Sequence, residues 1–252
     1  MNEESSPISQ MRAVTISREY GSGGGEIAAR LAQRLEWQLI DHEVVVQVAH
    51  ELGVSEAEAE AHDERTESLV SRLLANMHLF EPAALVATPM PAVIDAHLYS
   101  QALRRVVEEA AAVGHVVIVG RGGQVILANY RDVLHVRVVA PLDGRITYVM
   151  QREGLDRAAA LARIQLKDRD RVRYLQTELH QHPGDPHLYD LVMNTGILAL
   201  ENAVDLICQT LEYKARRLSV VTGELGPATG LTPYAGRPGD FRPPESVTES
   251  SR

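Results

Sequence analysis

The sequence predicts an α/β fold, a five-stranded parallel sheet flanked by helices, and three observations lead to it. Short β-prone runs alternate with longer stretches of helical periodicity. One run, His115-Val116-Val117-Ile118-Val119, is almost wholly β-branched and unbroken, the pattern of a strand buried on both faces. The first run, Ala13 to Ile16, enters a loop of four glycines in five positions, Gly21-Ser22-Gly23-Gly24-Gly25, and a helical pattern follows at once.

That opening unit carries most of the chemistry. Ile27, Ala28, Leu31, Ala32 and Leu35 fall at helical spacing directly after the glycines. Strand, glycine loop and helix together let backbone N–H groups close around a phosphate, because glycine allows positive φ and close approach and the helix start carries partial positive charge. The plainer reading is a flexible turn between a strand and a helix. The usual phosphate-loop pattern, G-x-x-x-x-G-K-[ST], is not met: Gly24 stands where the lysine belongs and Gly25 follows it. Arg18 is the only basic residue between Thr15 and Glu26, so it is the candidate replacement cation.

The remaining elements follow in order. Residues 1–10 read as a loose polar leader. Trp37-Gln38-Leu39-Ile40-Asp41 predicts a second strand, and Asp41 at its end can hold Mg²⁺ or orient a substrate, or simply cap the next helix. Val44, Val45, Val48, Ala49 and Leu52 predict a helix closed by Gly53. From Ser55 to about Val113 the pattern is helical, opened by a Ser55/Glu58 capping box and broken by Pro82, Pro89 and Pro91. This span exceeds what a crossover needs and reads as an inserted helical lobe, about residues 55–113. Its cluster His62-Asp63-Glu64-Arg65-Thr66 either faces the cleft, with Arg65 as a candidate substrate contact, or is a solvated helix start.

The third strand ends in Gly120-Arg121-Gly122-Gly123, which puts Arg121 where α/β sheets bind ligands and suits it to an anion. Val136 to Ala140 predicts a fourth strand and Asp143 the start of a helix carrying Arg145 and Arg152. A further helix from Asp156 bears Lys167-Asp168-Arg169-Asp170-Arg171 and reads as a mobile lid, about residues 150–180, or as a solvated face. Asp190 to Asn194 predicts the fifth strand, and Leu200, Val204, Ile207 and Leu211 the closing helix. His180, His182 and His187 match no zinc spacing and read as a polar loop. The main domain is thus expected over residues 11–217, with a flexible tail rich in Pro, Gly and Ser over 218–252.

Composition excludes several classes. A formal charge of −9 argues against a general nucleic-acid surface, though not against a small basic pocket. The single cysteine, Cys208, cannot form an internal disulfide and reads as a core residue of a protein in a reducing cytoplasm. No apolar run is long enough to span a bilayer. A nucleophile elbow is absent.

The stretch Ile16-Ser17-Arg18-Glu19-Tyr20-Gly21-Ser22-Gly23-Gly24, with Glu26-Ile27-Ala28, resembles the cytidylate kinase-like family. Gly120-Arg121, Asp168-x-x-Arg171-x-x-Tyr174 and Tyr189-Asp190-Leu191-Val192-Met193-Asn194-Thr195 fit the same resemblance, which runs from about Val14 to Leu211. It implies a nucleoside monophosphate kinase fold with an acceptor lobe and a lid, and transfer of the ATP γ-phosphoryl to CMP or dCMP with Mg²⁺. In that frame Gly21, Ser22, Gly23, Gly24 and Gly25 cradle ATP phosphates with Arg145 and Arg152. Arg18, Arg121 and Arg171 act on the reacting phosphates. Asp41, Arg65, Arg121 and Asp168 meet the acceptor, and Ser22 and Asp41 are the Mg²⁺ candidates. The expected partners are nucleotide substrates, not nucleic acid or membrane, with the tail as a candidate contact for another protein. The alternative implied by the missing lysine is a nucleotide-binding sensor without turnover.

Overall fold

The structure, a computed structural model, describes residues 7–41 and 96–226. The chain divides into two compact units, Met1–Leu218 and Ser219–Arg252, and the first carries the sheet. Its elements in chain order are β1 (Ala13–Arg18), α1 (Gly24–Leu35), β2 (Gln38–Ile40), α2 (Ala96–Val113), β3 (Val116–Val119), α3 (Gly123–Ile126), β4 (Val133–Val139), α4 (Leu142–Glu153), α5 (Arg157–Leu179), β5 (Leu191–Asn194) and α6 (Leu200–Arg216).

The five strands form one parallel sheet in the order β2-β3-β1-β4-β5. The chain moves outward from β1 to β2, returns to insert β3, then crosses to the other side of β1 to lay down β4. All strands therefore end along one edge, and the loops after β1, β3 and β4 emerge beside one another, where open α/β sheets bind ligands.

Alternation along each strand sorts the layers. Val14, Ile16, Leu134, Val136 and Val138 face α1 and α6, where Ile27, Leu31, Val204, Ile207 and Leu211 complete a fully buried cluster. Ala13, Val116, Ile118 and Val133 face the other way, against Leu103, Val106, Val107 and Ala110 of α2. Burying one such aliphatic side chain contributes about 1.5–3 kcal/mol, so these two layers dominate stability. A smaller cluster, Ile146, Val149, Ala160 and Ile164, ties α4 to α5. The α2 face of the sheet also carries a polar ladder. Thr15 and His135 are register partners sharing a 2.8 Å hydrogen bond, and Ser17 pairs with Arg137 one step nearer the ligand edge.

Local signals set the element ends. Gly23 at φ 77° begins α1, and Glu36 at φ 55° ends it. Asp156 caps α5 by accepting from the Ala159 N–H at 2.8 Å, after Gly154 at φ 67° has turned the chain out of α4.

The expected strands are present, and two of them run further than expected, the first continuing from Ile16 through Arg18. The fourth begins at Val133 rather than Val136, because Val133 to His135 continue the register with Ala13 to Thr15. The polar ring of His135 conceals that continuation in the sequence, and the Thr15 hydrogen bond makes its burial tolerable. α2, the last part of the long helical span, packs against the sheet. The rest of that span up to residue 95, the helix expected over Val44 to Leu52, and Arg65 lie outside the described residues. Among the described residues no helix is long and apolar enough to cross a membrane.

Candidate active site

The glycine loop is shaped by close packing. A Cβ on Gly21 would come within 2.9 Å of the Arg145 carbonyl oxygen, and one on Gly24 within 2.7 Å of the Arg18 Cβ. Gly25, by contrast, has nothing within 4 Å of a Cβ position and is exposed at the start of α1. Ser22, Gly23 and Gly24 are buried, so the open backbone of the loop is that of Gly25 at the helix start, a position suited to an anion.

Ser22 does not face that opening. It is 3% exposed, and its Oγ donates towards the carbonyl oxygens of Glu19 at 2.9 Å and Val138 at 3.2 Å. Each of those carbonyls also accepts a backbone N–H, that of Ser22 on Glu19 at 3.3 Å and that of Glu19 on Val138 at 3.0 Å, so the hydroxyl is a further donor inside a closed turn. Asp41 instead lies close enough to Arg18 for its negative charge to favour the guanidinium's protonated form. Among the described residues, no three His, Cys, Asp or Glu side chains cluster as a metal site.

Beside the loop, along the ends of β1, β3 and β4, lies a cleft of about 290 Å³. Its cationic wall comprises Arg18 from β1, Arg121 after β3, Arg137 from β4, and Lys167 and Arg171 from α5. These elements meet because the strand order brings three loops together and α5 runs across them.

The arginines fall into two groups. Arg145 and Arg171 are tied to Asp168: the Arg145 Nη1 donates to its Oδ2 at 2.5 Å, and Arg171 lies 3.5 Å from its Oδ1. Asp168 also accepts from the Tyr20 backbone N–H at 2.7 Å, so the α5 carboxylate grips the loop directly. Arg171 adds a bond to the Arg18 carbonyl at 3.2 Å and stacks over the Tyr20 ring. The Tyr20 hydroxyl donates to Glu153 at 2.6 Å, which pins the same loop residue to α4.

Arg18, Arg121 and Arg137 make no ion pair with a carboxylate within 4.0 Å among the described residues. Arg18 lies against Gly120, and its pKa is pushed down to about 9, first by burial and then by the positive charges of Arg171 and Arg121. Burial likewise lowers Arg171, with Arg137 and Arg145 acting in the same direction. Such crowding of like charges stores repulsion that a bound anion would relieve. Arg121 holds a left-handed conformation at φ 55° between Gly120 and Gly122, and its Nη2 is buried with no hydrogen-bond partner. A strained, half-satisfied arginine at the ligand edge of a sheet is a candidate functional position.

Of the residues singled out from the sequence, Arg18, Arg121, Arg171 and Asp168 meet in this cleft. Arg145 lies behind the loop on Asp168, and Arg152 stands apart, 67% exposed and 3.9 Å from Glu26. Arg137 was not among them. The signal available was a single charged residue inside the apolar run Val136-Arg137-Val138-Val139.

Comparison with known proteins agrees with this architecture. The curated cytidylate kinase of Ignicoccus hospitalis is 29% identical over 204 residues, covering 80% of this chain and 99% of that protein. A stretch of 98 residues is 38% identical to a uronate isomerase of Corynebacterium glutamicum, covering 39% of this chain but only 19% of that much longer protein. A solved structure of an uncharacterised protein from Eubacterium ventriosum shares the fold at a TM-score of 0.59 and 21% identity, over 80% of this chain and 98% of that one. The glycine loop, the arginine after β3 and the α5 helix all lie inside residues 13–197, the span matched by the family model of the cytidylate kinase-like family, and to that family the chain belongs.

Proposed function

We propose that the protein is an ATP-dependent phosphotransferase that moves the γ-phosphoryl of MgATP to a small phosphate-bearing acceptor, with CMP and dCMP the first candidates. The observation that carries this reading is the group of guanidinium groups, Arg18, Arg121 and Arg137, that have no carboxylate partner within 4.0 Å among the described residues and line one cleft. Phosphoryl transfer needs positioning and neutralisation of three oxygens' charge more than covalent chemistry, and these residues are equipped for both. Arg18 takes the place of the missing loop lysine, Arg121 holds the acceptor phosphate, and Arg171 supplies charge from α5. Family membership and the full-length match to a cytidylate kinase support the nucleotide side of the proposal.

A second reading is a nucleotide-binding module without turnover. The inward-turned Ser22 hydroxyl favours it, because the loop then offers neither the lysine nor a free hydroxyl for the metal.

The deciding test is ADP formation from MgATP with a panel of nucleoside monophosphates, beside an Arg18→Ala variant. Uronates belong on the panel, given the partial match to a uronate isomerase. Acceptor-dependent turnover that falls at least about a hundredfold in the variant supports the kinase, as expected for loss of one preorganised charge donor. ATP binding without turnover on any acceptor supports the sensor and overturns the kinase.

A further inference from the structure

β4 places a charged side chain where its neighbours are apolar. Val136 and Val138 point into the α1/α6 core, and strand alternation sends Arg137 to the opposite face, at the end of the polar ladder. There its guanidinium lines the cleft. Among the described residues it is held by neutral groups: the Nη1 donates to Ser17 Oγ at 3.1 Å, and the Cζ lies 5.6 Å from the centroid of the Tyr189 ring. The Tyr189 hydroxyl is fixed in turn by donation to the Pro183 carbonyl at 3.0 Å, and Ser17 is only 8% exposed. Among the described residues Arg137 is therefore oriented without a carboxylate partner, whereas Arg145 and Arg171 already hold one.

The position has a direction as well. Arg121 follows β3 and Arg137 lies on β4, the two strands flanking β1, so their backbones stand two strand spacings apart, about 10 Å. Arg171 feels the positive charge of Arg137, which connects the two sides of the cleft through α5.

We propose that Arg137 is an acceptor-binding residue: it receives an anionic oxygen of the acceptor on the β4 side of the cleft, opposite Arg121, and Ser17 and Tyr189 position it for that contact. This deepens the proposed phosphotransferase reading and rests on it for the term acceptor. An arginine fork suits a phosphate or carboxylate oxygen pair, and Arg137 can swing from a neutral hydroxyl to an anion without breaking an ion pair. The role selects acceptors bearing an anionic group, and a neutral alcohol of the same size would leave Arg137 without charge compensation.

The test uses Arg137→Met, which keeps the aliphatic stem, and Arg137→Lys, which restores the charge without the fork. Binding of inorganic pyrophosphate is measured by calorimetry on the full chain, and steady-state kinetics with MgATP and the best acceptor are run alongside. Arg137→Met is expected to weaken pyrophosphate and raise the acceptor KM by about ten- to a hundredfold, the range of a charge-assisted contact, with the ATP KM unchanged and partial recovery in Arg137→Lys. Ser17→Ala should shift the acceptor KM in the same direction by less. Unchanged pyrophosphate affinity and acceptor KM in a folded Arg137→Met variant would overturn the proposal and leave the kinase reading standing. A fall confined to kcat would also overturn it, by moving Arg137 to the transferring group. If the wild type turns over no acceptor, the kinase reading fails, and the pyrophosphate measurement still decides whether Arg137 binds an anion.

Discussion

Replacing Gly120 with alanine should disable the cleft without removing any of its charges. Gly120 sits at φ 78°, and a Cβ there would intrude on the Arg18 guanidinium far inside the 3.0 Å that real Cβ contacts essentially never breach. Either the backbone leaves its left-handed conformation, or it keeps it at about 1–2 kcal/mol for a residue with a Cβ and Arg18 withdraws on the order of 1 Å. The second route is softer, since the obstructing atom is the end of a long side chain. A displacement of that size at a reacting centre is worth about a hundredfold in rate. Gly120→Ala should therefore fold with a modest loss of stability yet lose about two orders of magnitude in kcat/KM, approaching the Arg18→Ala variant. Combining the two changes should add little, because both act through one guanidinium. Chemical denaturation and steady-state kinetics on the single and double variants decide the matter. Full activity in a folded Gly120→Ala protein, or an additive double variant, would refute the idea that this glycine exists to seat Arg18.

Other outcomes follow from equally specific contacts. Burial pushes the His135 imidazole down to about 4 against an ordinary 6.5, so the unfolded chain takes up its proton first. The neutral ring's stabilisation is complete above about pH 6.5 and is lost as pH falls towards 4, by up to about 3 kcal/mol. Denaturant midpoints between pH 7 and 4.5 should decline more steeply in the wild type than in His135→Gln, and parallel curves would contradict this. Asp168→Asn weakens the grip of α5 on the loop, so amides around Tyr20 and along α5 should exchange faster, with about 1–3 kcal/mol less protection. Unaltered exchange would mean that hydrophobic packing alone holds α5 down. Gly144 lies in α4 with nothing within 4 Å of a Cβ, so Gly144→Ala should raise stability by about 0.5–1 kcal/mol, read from the same denaturation curves.

The sheet was legible because parallel strands are buried on both faces and read as apolar runs, as Val116 to Val119 do. Arg121 was legible because it stands between glycines after a strand, and Arg18 because it is the only basic residue between Thr15 and Glu26. Arg137 was not, since its side chain leaves a strand whose neighbours point into the core, and only three-dimensional alternation shows that it reaches the cleft. The orientation of Ser22 was equally hidden. A hydroxyl in a glycine loop reads as free for a ligand until the Glu19 and Val138 carbonyls are found beside it. Asp168 presented a third difficulty. Its spacing from Arg171 fits the family resemblance, but its bonds to Tyr20 and Arg145 depend on how α5 crosses a loop nearly 150 residues earlier in the chain.

Three consecutive left-handed residues, Gly120, Arg121 and Gly122, set stability and usefulness against each other at one codon. Glycine at position 121 would relieve the strained backbone, by about 1 kcal/mol, and asparagine would tolerate it better than arginine does. Selection for folding alone would thus drift away from arginine, and selection for the reaction would restore it. A library at position 121, sorted once for soluble expression and once for phosphotransfer, should return different winners from the two sorts.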